Sequence, residues 1–195
     1  LTSAQAESVA DAVVKRRFKR GEVVVEQGDK SNTLFIILTG RARVITADKR
    51  GREVILATLQ PGDYIGEMSL IDNDAHSATV RAEVQTDMLA LGRVEFARCL
   101  PENSSMAYAI MKGLVQRLRQ ADRKIESLAL MDVYGRVARS LLEFAQPDRE
   151  AQLTIRERIS RQDIAKMVGA SREMVSRVMK DLEDRGFIET RDDGS

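Results

Sequence analysis

The chain is poor in metal-binding and redox side chains, with a single cysteine, Cys99, and a single histidine, His76. A lone thiol excludes internal disulfides, a four-cysteine iron–sulfur site and a cysteine-rich zinc site. Cys99, three residues after Phe96, reads as a small core residue in a protein of the reducing cytoplasm. Without companion ligands, His76 does not make a metal or haem site. Net charge is also nearly absent, at +1 from 31 basic and 30 acidic residues. Global charge therefore announces no nucleic-acid partner, and DNA binding must be argued from local residues. No apolar run is long enough to span a bilayer, so no membrane partner is expected. No signal-peptide pattern opens the chain, and it begins at Leu1 rather than Met, so residues can be missing upstream. No nucleophile–base pairing is visible, and an enzyme is not expected.

The composition that is present, 43% hydrophobic and 31% charged over 195 residues, suits a soluble globular protein of one large or two small domains. Residues 1–16 read as a short amphipathic helix, with Val9, Ala10, Val13 and Val14 at helical spacing. From Lys19 to Gly92 short β-branched runs alternate with glycine and aspartate turns. The predicted strands are Val23 to Val25, Leu34 to Leu38, Ala42 to Thr46, Val54 to Leu59, Ala78 to Val84 and Met88 to Leu91. Many short strands at this spacing suggest a β-barrel or sandwich. The polar stretch Asp48-Lys49-Arg50-Gly51-Arg52 reads as an exposed hairpin tip.

From about Val94 the texture is helical. Over about 103–130, Met111, Leu114, Leu118, Ala121, Ile125 and Leu128 recur at alternating three and four residues, a heptad seam. Arg117, Arg119, Asp122, Arg123, Lys124 and Glu126 flank it. The seam packs either on the chain's own barrel or on a second copy, and its length favours a homodimer. Asp132 can cap a further helix, Val133 to Phe144, with Val137, Leu141 and Leu142 on one side and Gln146-Pro147-Asp148 at its end. The expected organisation is a sensor domain at 1–100, a dimerisation helix at 101–131 and a helical domain at 132–195.

The segment from Ile159 to Met179 carries the most chemistry. Ser160 is an N-cap with Asp163 three residues on, Gly169 can take a left-handed turn, and Ser171 caps a second helix. Val175, Val178, Met179 and Leu182 form its buried stripe. That leaves Arg172, Glu173 and Arg177 outward near the helix start, where a helix-turn-helix reads bases in the major groove. Arginine can donate twice to guanine and glutamate can accept from cytosine. Ser171 and Lys180 suit phosphates.

Two motifs resemble those of the CRP/FNR family of bacterial regulators. Ser171-Arg172-Glu173-Met174-Val175-Ser176-Arg177 is similar to the family's recognition helix, and Gly66-Glu67-Met68-Ser69-Leu70 with Ser77-Ala78-Thr79-Val80 to its phosphate-binding cassette. The resemblance covers nearly the whole chain in order. It implies an α+β fold: an N-terminal cyclic-nucleotide-binding β jelly roll, a long dimerisation helix and a C-terminal winged helix-turn-helix. It also implies a palindromic double-stranded DNA site with TGTGA-like halves, read by Arg172, Glu173 and Arg177, and RNA polymerase as a partner. The wing's last strand would be cut short at Ser195.

The same resemblance sets the expected effector contacts at Gly66, Glu67, Met68, Ser69, His76, Ser77 and Asp122. Glu67 would hold a ribose hydroxyl, and the backbone at Met68 and Ser69 a phosphate. Two positions depart from the cyclic-AMP pattern. His76 stands where the family has a phosphate-binding arginine, and offers no bidentate fork. Ala121 and Asp122 stand where adjacent hydroxyls would meet adenine. A carboxylate accepts only, which suits the N1 and N2 donors of guanine. Arg117, Arg119 and Arg123 lie nearby in sequence to hold phosphates or stack on a purine. A guanine-bearing effector is therefore expected, cyclic di-GMP ahead of cyclic GMP, with cyclic AMP as the alternative and no other cofactor. Effector-independent regulation, and a nucleotide-binding module acting through protein contacts alone, are the alternatives. Any effector would act allosterically, through the long helix and a hinge near Leu130 to Asp132.

Overall fold

A computed structural model describes residues 13–102, 104–147, 152–156 and 159–189. It divides into two compact units, Leu1–Arg119 and Gln120–Ser195.

The first unit is a barrel of two four-stranded antiparallel sheets. One runs in the order β1 (Val13–Phe18), β8 (Thr86–Gly92), β3 (Thr33–Thr39), β6 (Tyr64–Ile65). The other runs β2 (Val23–Val25), β7 (Thr79–Ala82), β4 (Ala42–Ala47), β5 (Glu53–Leu59). Inward residues of both sheets form one core, including Phe18, Val25, Phe35, Ile37, Leu59, Val80 and Met88. Phe18 and Phe35 meet edge to face at 5.9 Å. The β4–β5 connection is the expected polar tip, closed by Asp48, whose backbone N–H donates to the Arg52 carbonyl and whose carboxylate accepts from Arg50 and Arg52.

One expectation fails at the N-terminal end. Val13 to Arg16 belong to strand β1, not to a helix, and residues 1–12 lie outside the described residues. The strand is held by its register against β8, Val13 opposite Leu91 through Phe18 opposite Thr86. Asp87 of β8 also pairs with both Lys15 at 3.1 Å and Arg17 at 2.6 Å. Strand β7 is shorter than the predicted Ala78 to Val84.

Three helices complete the unit: α1 (Glu67–Asp72), α2 (Arg93–Glu102) and the first part of α3 (Ser104–Leu130). They pack on the outer face of the β1–β8–β3–β6 sheet through a second core of Leu34, Leu70, Leu91, Phe96 and Ile110, with Tyr64, Met106 and Leu114 against it. Helix α3 therefore has two stripes. Ile110 and Leu114 face the barrel, while Met111, Val115, Leu118 and Ile125 are each at least half exposed. Leu114 thus leaves the predicted seam, and Val115 takes its place. The side chain of Cys99 falls outside the described residues.

The second unit packs α4 (Val133–Phe144), α5 (Arg161–Val168) and α6 (Arg172–Asp184) around Val137, Ile164, Ala165, Val168, Val175, Val178 and Leu182. Asp132 caps α4 by accepting from Gly135 N at 2.8 Å. Leu142, expected on the packed side, is exposed; the buried side of α4 is Val137 with Ser140, and Leu141 packs against it. A two-stranded ribbon, β9 (Gln146–Pro147) with β10 (Leu153–Thr154), precedes α5. The wing's last strand, expected to be cut short at Ser195, is not tested, because residues 190–195 lie outside the described residues.

Candidate functional site

The Gly66–Ser69 segment forms a tight corner between β6 and α1. Gly66 sits at φ 93, and a Cβ there would stand 2.5 Å from the Thr33 carbonyl, so only glycine fits. Glu67, the next residue, is 1% exposed. Its Oε1 pairs with Arg117 Nη1 at 2.5 Å. Its Oε2 is buried with no hydrogen-bond donor among the described residues. Burial pushes the Glu67 carboxyl above the usual carboxylate range, and the Arg117 guanidinium opposes that shift. Arg117 also donates to the Tyr64 carbonyl and lies 4.6 Å from the Tyr64 ring centroid. The Tyr64 hydroxyl donates to the Ile110 carbonyl of α3 at 2.5 Å.

The other expected effector residues are scattered in character. Met68 and Ser77 are exposed. Ser69 is buried, and its hydroxyl is committed to the Asp74 carbonyl at 2.5 Å. His76 is buried, with Nε2 2.8 Å from Ser31 Oγ, and burial lowers its pKa against the pull of Asp29. The imidazole is thus a neutral support beneath the corner. Asp122 is exposed on α3. Counting from Met111, Val115 and Leu118, it falls on the exposed apolar stripe. Tyr64 carries no signal in a motif-based reading, and the pairing of Arg117 with Glu67, far apart in the chain, arises only through the fold. Among the described residues no group of histidine, cysteine and carboxylate side chains is placed to hold a metal.

The helix-turn-helix follows from local capping. Ser160 accepts from Asp163 N at 3.0 Å. Gly169 ends α5 in the left-handed region at φ 65, and Ser171 accepts from Met174 N at 3.2 Å to start α6. Val175, Val178 and Leu182 turn inward. Ser171, Arg172, Glu173, Arg177 and Lys180 are all exposed on α6 or its cap. Glu173's own backbone N–H and the Ser171 hydroxyl hold its carboxyl below the usual range, so it is ionised at neutral pH. Such a surface presents two guanidinium forks and one acceptor from the first two turns of a helix.

Comparison with known proteins matches both halves. Residues 15–103 match the cyclic nucleotide-binding domain, and residues 135–194 the Crp-like helix-turn-helix domain. The chain is 36% identical over 183 residues to the cAMP-activated global transcriptional regulator Vfr of Pseudomonas aeruginosa, covering 91% of this chain and 86% of that protein. The chain belongs to the CRP/FNR family of transcription regulators. A second CRP/FNR relative, the cAMP-activated global transcriptional regulator CRP of Salmonella typhimurium, is 34% identical over 175 residues, 88% of this chain and 83% of that one. Among solved structures, the c-di-GMP responsive global regulator CLP of Xanthomonas campestris superposes with a TM-score of 0.85 at 29% identity, over 97% of this chain and 95% of that one. The α+β architecture of this CRP/FNR chain is the one the resemblance implied: a cyclic nucleotide-binding barrel, a long helix and a helix-turn-helix. No helix among the described residues is long and apolar enough to cross a membrane.

Proposed function

We propose that the chain is a homodimeric, sequence-specific DNA-binding regulator controlled by a cyclic nucleotide held at the Gly66–Ser69 corner, with cyclic di-GMP the favoured effector. One observation carries the effector reading: a fully buried carboxylate oxygen, Glu67 Oε2, that lacks a donor among the described residues. An unmet buried acceptor costs about 1–3 kcal/mol, which a ribose hydroxyl entering the corner would recover. Backbone N–H groups at Met68 and Ser69, with the exposed Ser77 hydroxyl, would serve the phosphate; Gly66 lets the backbone approach. His76 would act from beneath, through Ser31. The guanine preference rests on the chemistry of Asp122, an exposed side chain whose two oxygens suit donors, and is supported by the likeness to a c-di-GMP responsive regulator.

Cyclic AMP is the second reading, favoured by the names of the relatives at 34–36% identity. Calorimetric titration with cyclic di-GMP, cyclic GMP and cyclic AMP separates the two. Binding of a guanine nucleotide, lost in Glu67→Ala, is expected. Silence from both guanine nucleotides up to about a millimolar ends the guanine reading.

On DNA, Arg172 and Arg177 would donate to guanine edges and Glu173 accept from cytosine, in TGTGA-like half-sites. Ser171 and Lys180 would contact phosphates. Two copies joined along the exposed α3 stripe would set their recognition helices about 34 Å apart, one turn of duplex. RNA polymerase would be the downstream partner, in the cytoplasm. No catalytic role is proposed.

A further inference from the structure

Residues 28–33 run beneath the effector corner and are tied to it at several points. Lys30 Nζ donates to the Asn73 carbonyl at 2.9 Å, and Ser31 holds His76. The third tie is Arg93, the first residue of α2. Its backbone N donates to the Asn32 carbonyl and its Nε to Asn32 Oδ1, both at 2.8 Å. The two terminal nitrogens of the same guanidinium turn the other way. Nη2 donates to the Ser69 carbonyl at 2.8 Å and Nη1 to the Leu70 carbonyl at 3.3 Å.

Helix α1 needs such a partner. It has only six residues and no basic side chain in its last turn. The last carbonyls of a helix lack intrahelical donors, and a cation there is favourable. A planar fork bridges two carbonyls and an amide oxygen from three separate nitrogens in fixed directions, whereas an ammonium must serve them from a single nitrogen. No carboxylate among the described residues pairs with Arg93, so its donors are committed to the corner and its loop.

We propose that Arg93 is a positioning residue for the effector, fixing α1 on the 31–32 loop so that Glu67 and the backbone at Met68 and Ser69 hold one geometry before ligand arrives. The inference rests on the cyclic-nucleotide reading of that corner. Preorganisation of this kind sets affinity without contact to the ligand.

The test compares the full-length chain with Arg93→Met, Arg93→Lys and Asn32→Ala. Cyclic di-GMP and cyclic AMP affinities are read by calorimetry, and duplex affinity is read without nucleotide. Arg93→Met should weaken whichever nucleotide binds by about tenfold or more. Arg93→Lys should recover part of that loss. Duplex affinity without nucleotide should stay within about twofold, since the recognition helix belongs to the other compact unit and, among the described residues, shares no partner with Arg93. If Arg93→Met does not fold, Asn32→Ala removes one of the three side-chain bonds and should cost about threefold. A parent protein that binds while Arg93→Met, or Asn32→Ala in its place, binds equally well overturns this inference alone. So does an Arg93→Lys variant no better than Arg93→Met. A parent protein silent to both nucleotides overturns the reading of the corner, and this inference with it.

Discussion

Arg117 grips only one of the two oxygens of Glu67, at 2.5 Å, although the carboxylate is buried and its other oxygen has no donor among the described residues. The pair is lopsided in exposure as well, with Arg117 a third exposed and Glu67 almost fully enclosed. Burial therefore outweighs the ion pair, and the net effect on Glu67 is an upward shift of its pKa.

The pH dependence follows from that sign. A carboxyl whose pKa is raised by folding favours the folded state when protonated, and loses that favour as pH rises through the raised value. Glu67→Gln stays neutral throughout. The melting temperature of Glu67→Gln minus that of the parent should therefore grow as pH is raised from about 4, the ordinary carboxylate value, toward 7. A gap that narrows over the same range contradicts the shift.

Gly113 provides a test of packing against propensity. Alanine in a helix interior is favoured over glycine by about 1 kcal/mol. A Cβ at Gly113, however, would run into the Tyr64 hydroxyl and ring. Overpacking of that kind costs about 1–3 kcal/mol. Gly113→Ala should thus destabilise the barrel unit in urea titration, and Gly113→Ala with Tyr64→Leu should restore most of the loss. A more stable single variant would show that Tyr64 does not occupy that notch.

How much of this was legible beforehand depends on the range of each interaction. Ser160, Gly169 and Ser171 act within three or four residues, so their capping roles and the outward set Arg172, Glu173 and Arg177 were readable from spacing. The hairpin tip at Asp48 was readable for the same reason. Strand β1 was not: Val13 and Val14 fit a helical period, and only pairing with β8 and the Asp87 contacts decide otherwise. Strand β6 has two residues and carries no period at all. On α3 the apolar positions supply two stripes, and the spacing alone merged them, placing Leu114 with residues that face away from the barrel. The contacts of Glu67 with Arg117, His76 with Ser31 and Arg93 with Ser69 join residues far apart in the chain, and no local pattern signals them.

The exposed stripe of α3 makes a prediction about assembly. Leu118 and Ile125 stand seven residues apart and are each more than 60% exposed in the single chain. Two such stripes would bury each other as a coiled-coil seam. Ile125→Glu should convert the protein to a monomer in sedimentation at micromolar concentration, whereas Lys112→Glu, off the stripe, should leave the mass unchanged. Equal masses for the two variants would place the dimer contact elsewhere.

The most direct test of the whole account is equilibrium binding of a fluorescent palindromic TGTGA duplex, against a scrambled duplex of equal length, with and without the nucleotide that calorimetry identifies. The account predicts specific binding at least about a thousandfold tighter than nonspecific, and a change in that ratio on adding nucleotide. Arg172→Ala should cost about 1–3 kcal/mol on the palindrome alone, while Lys180→Ala should weaken both duplexes and lower the salt slope by about one. Equal affinity for the two duplexes, untouched by nucleotide, would contradict it.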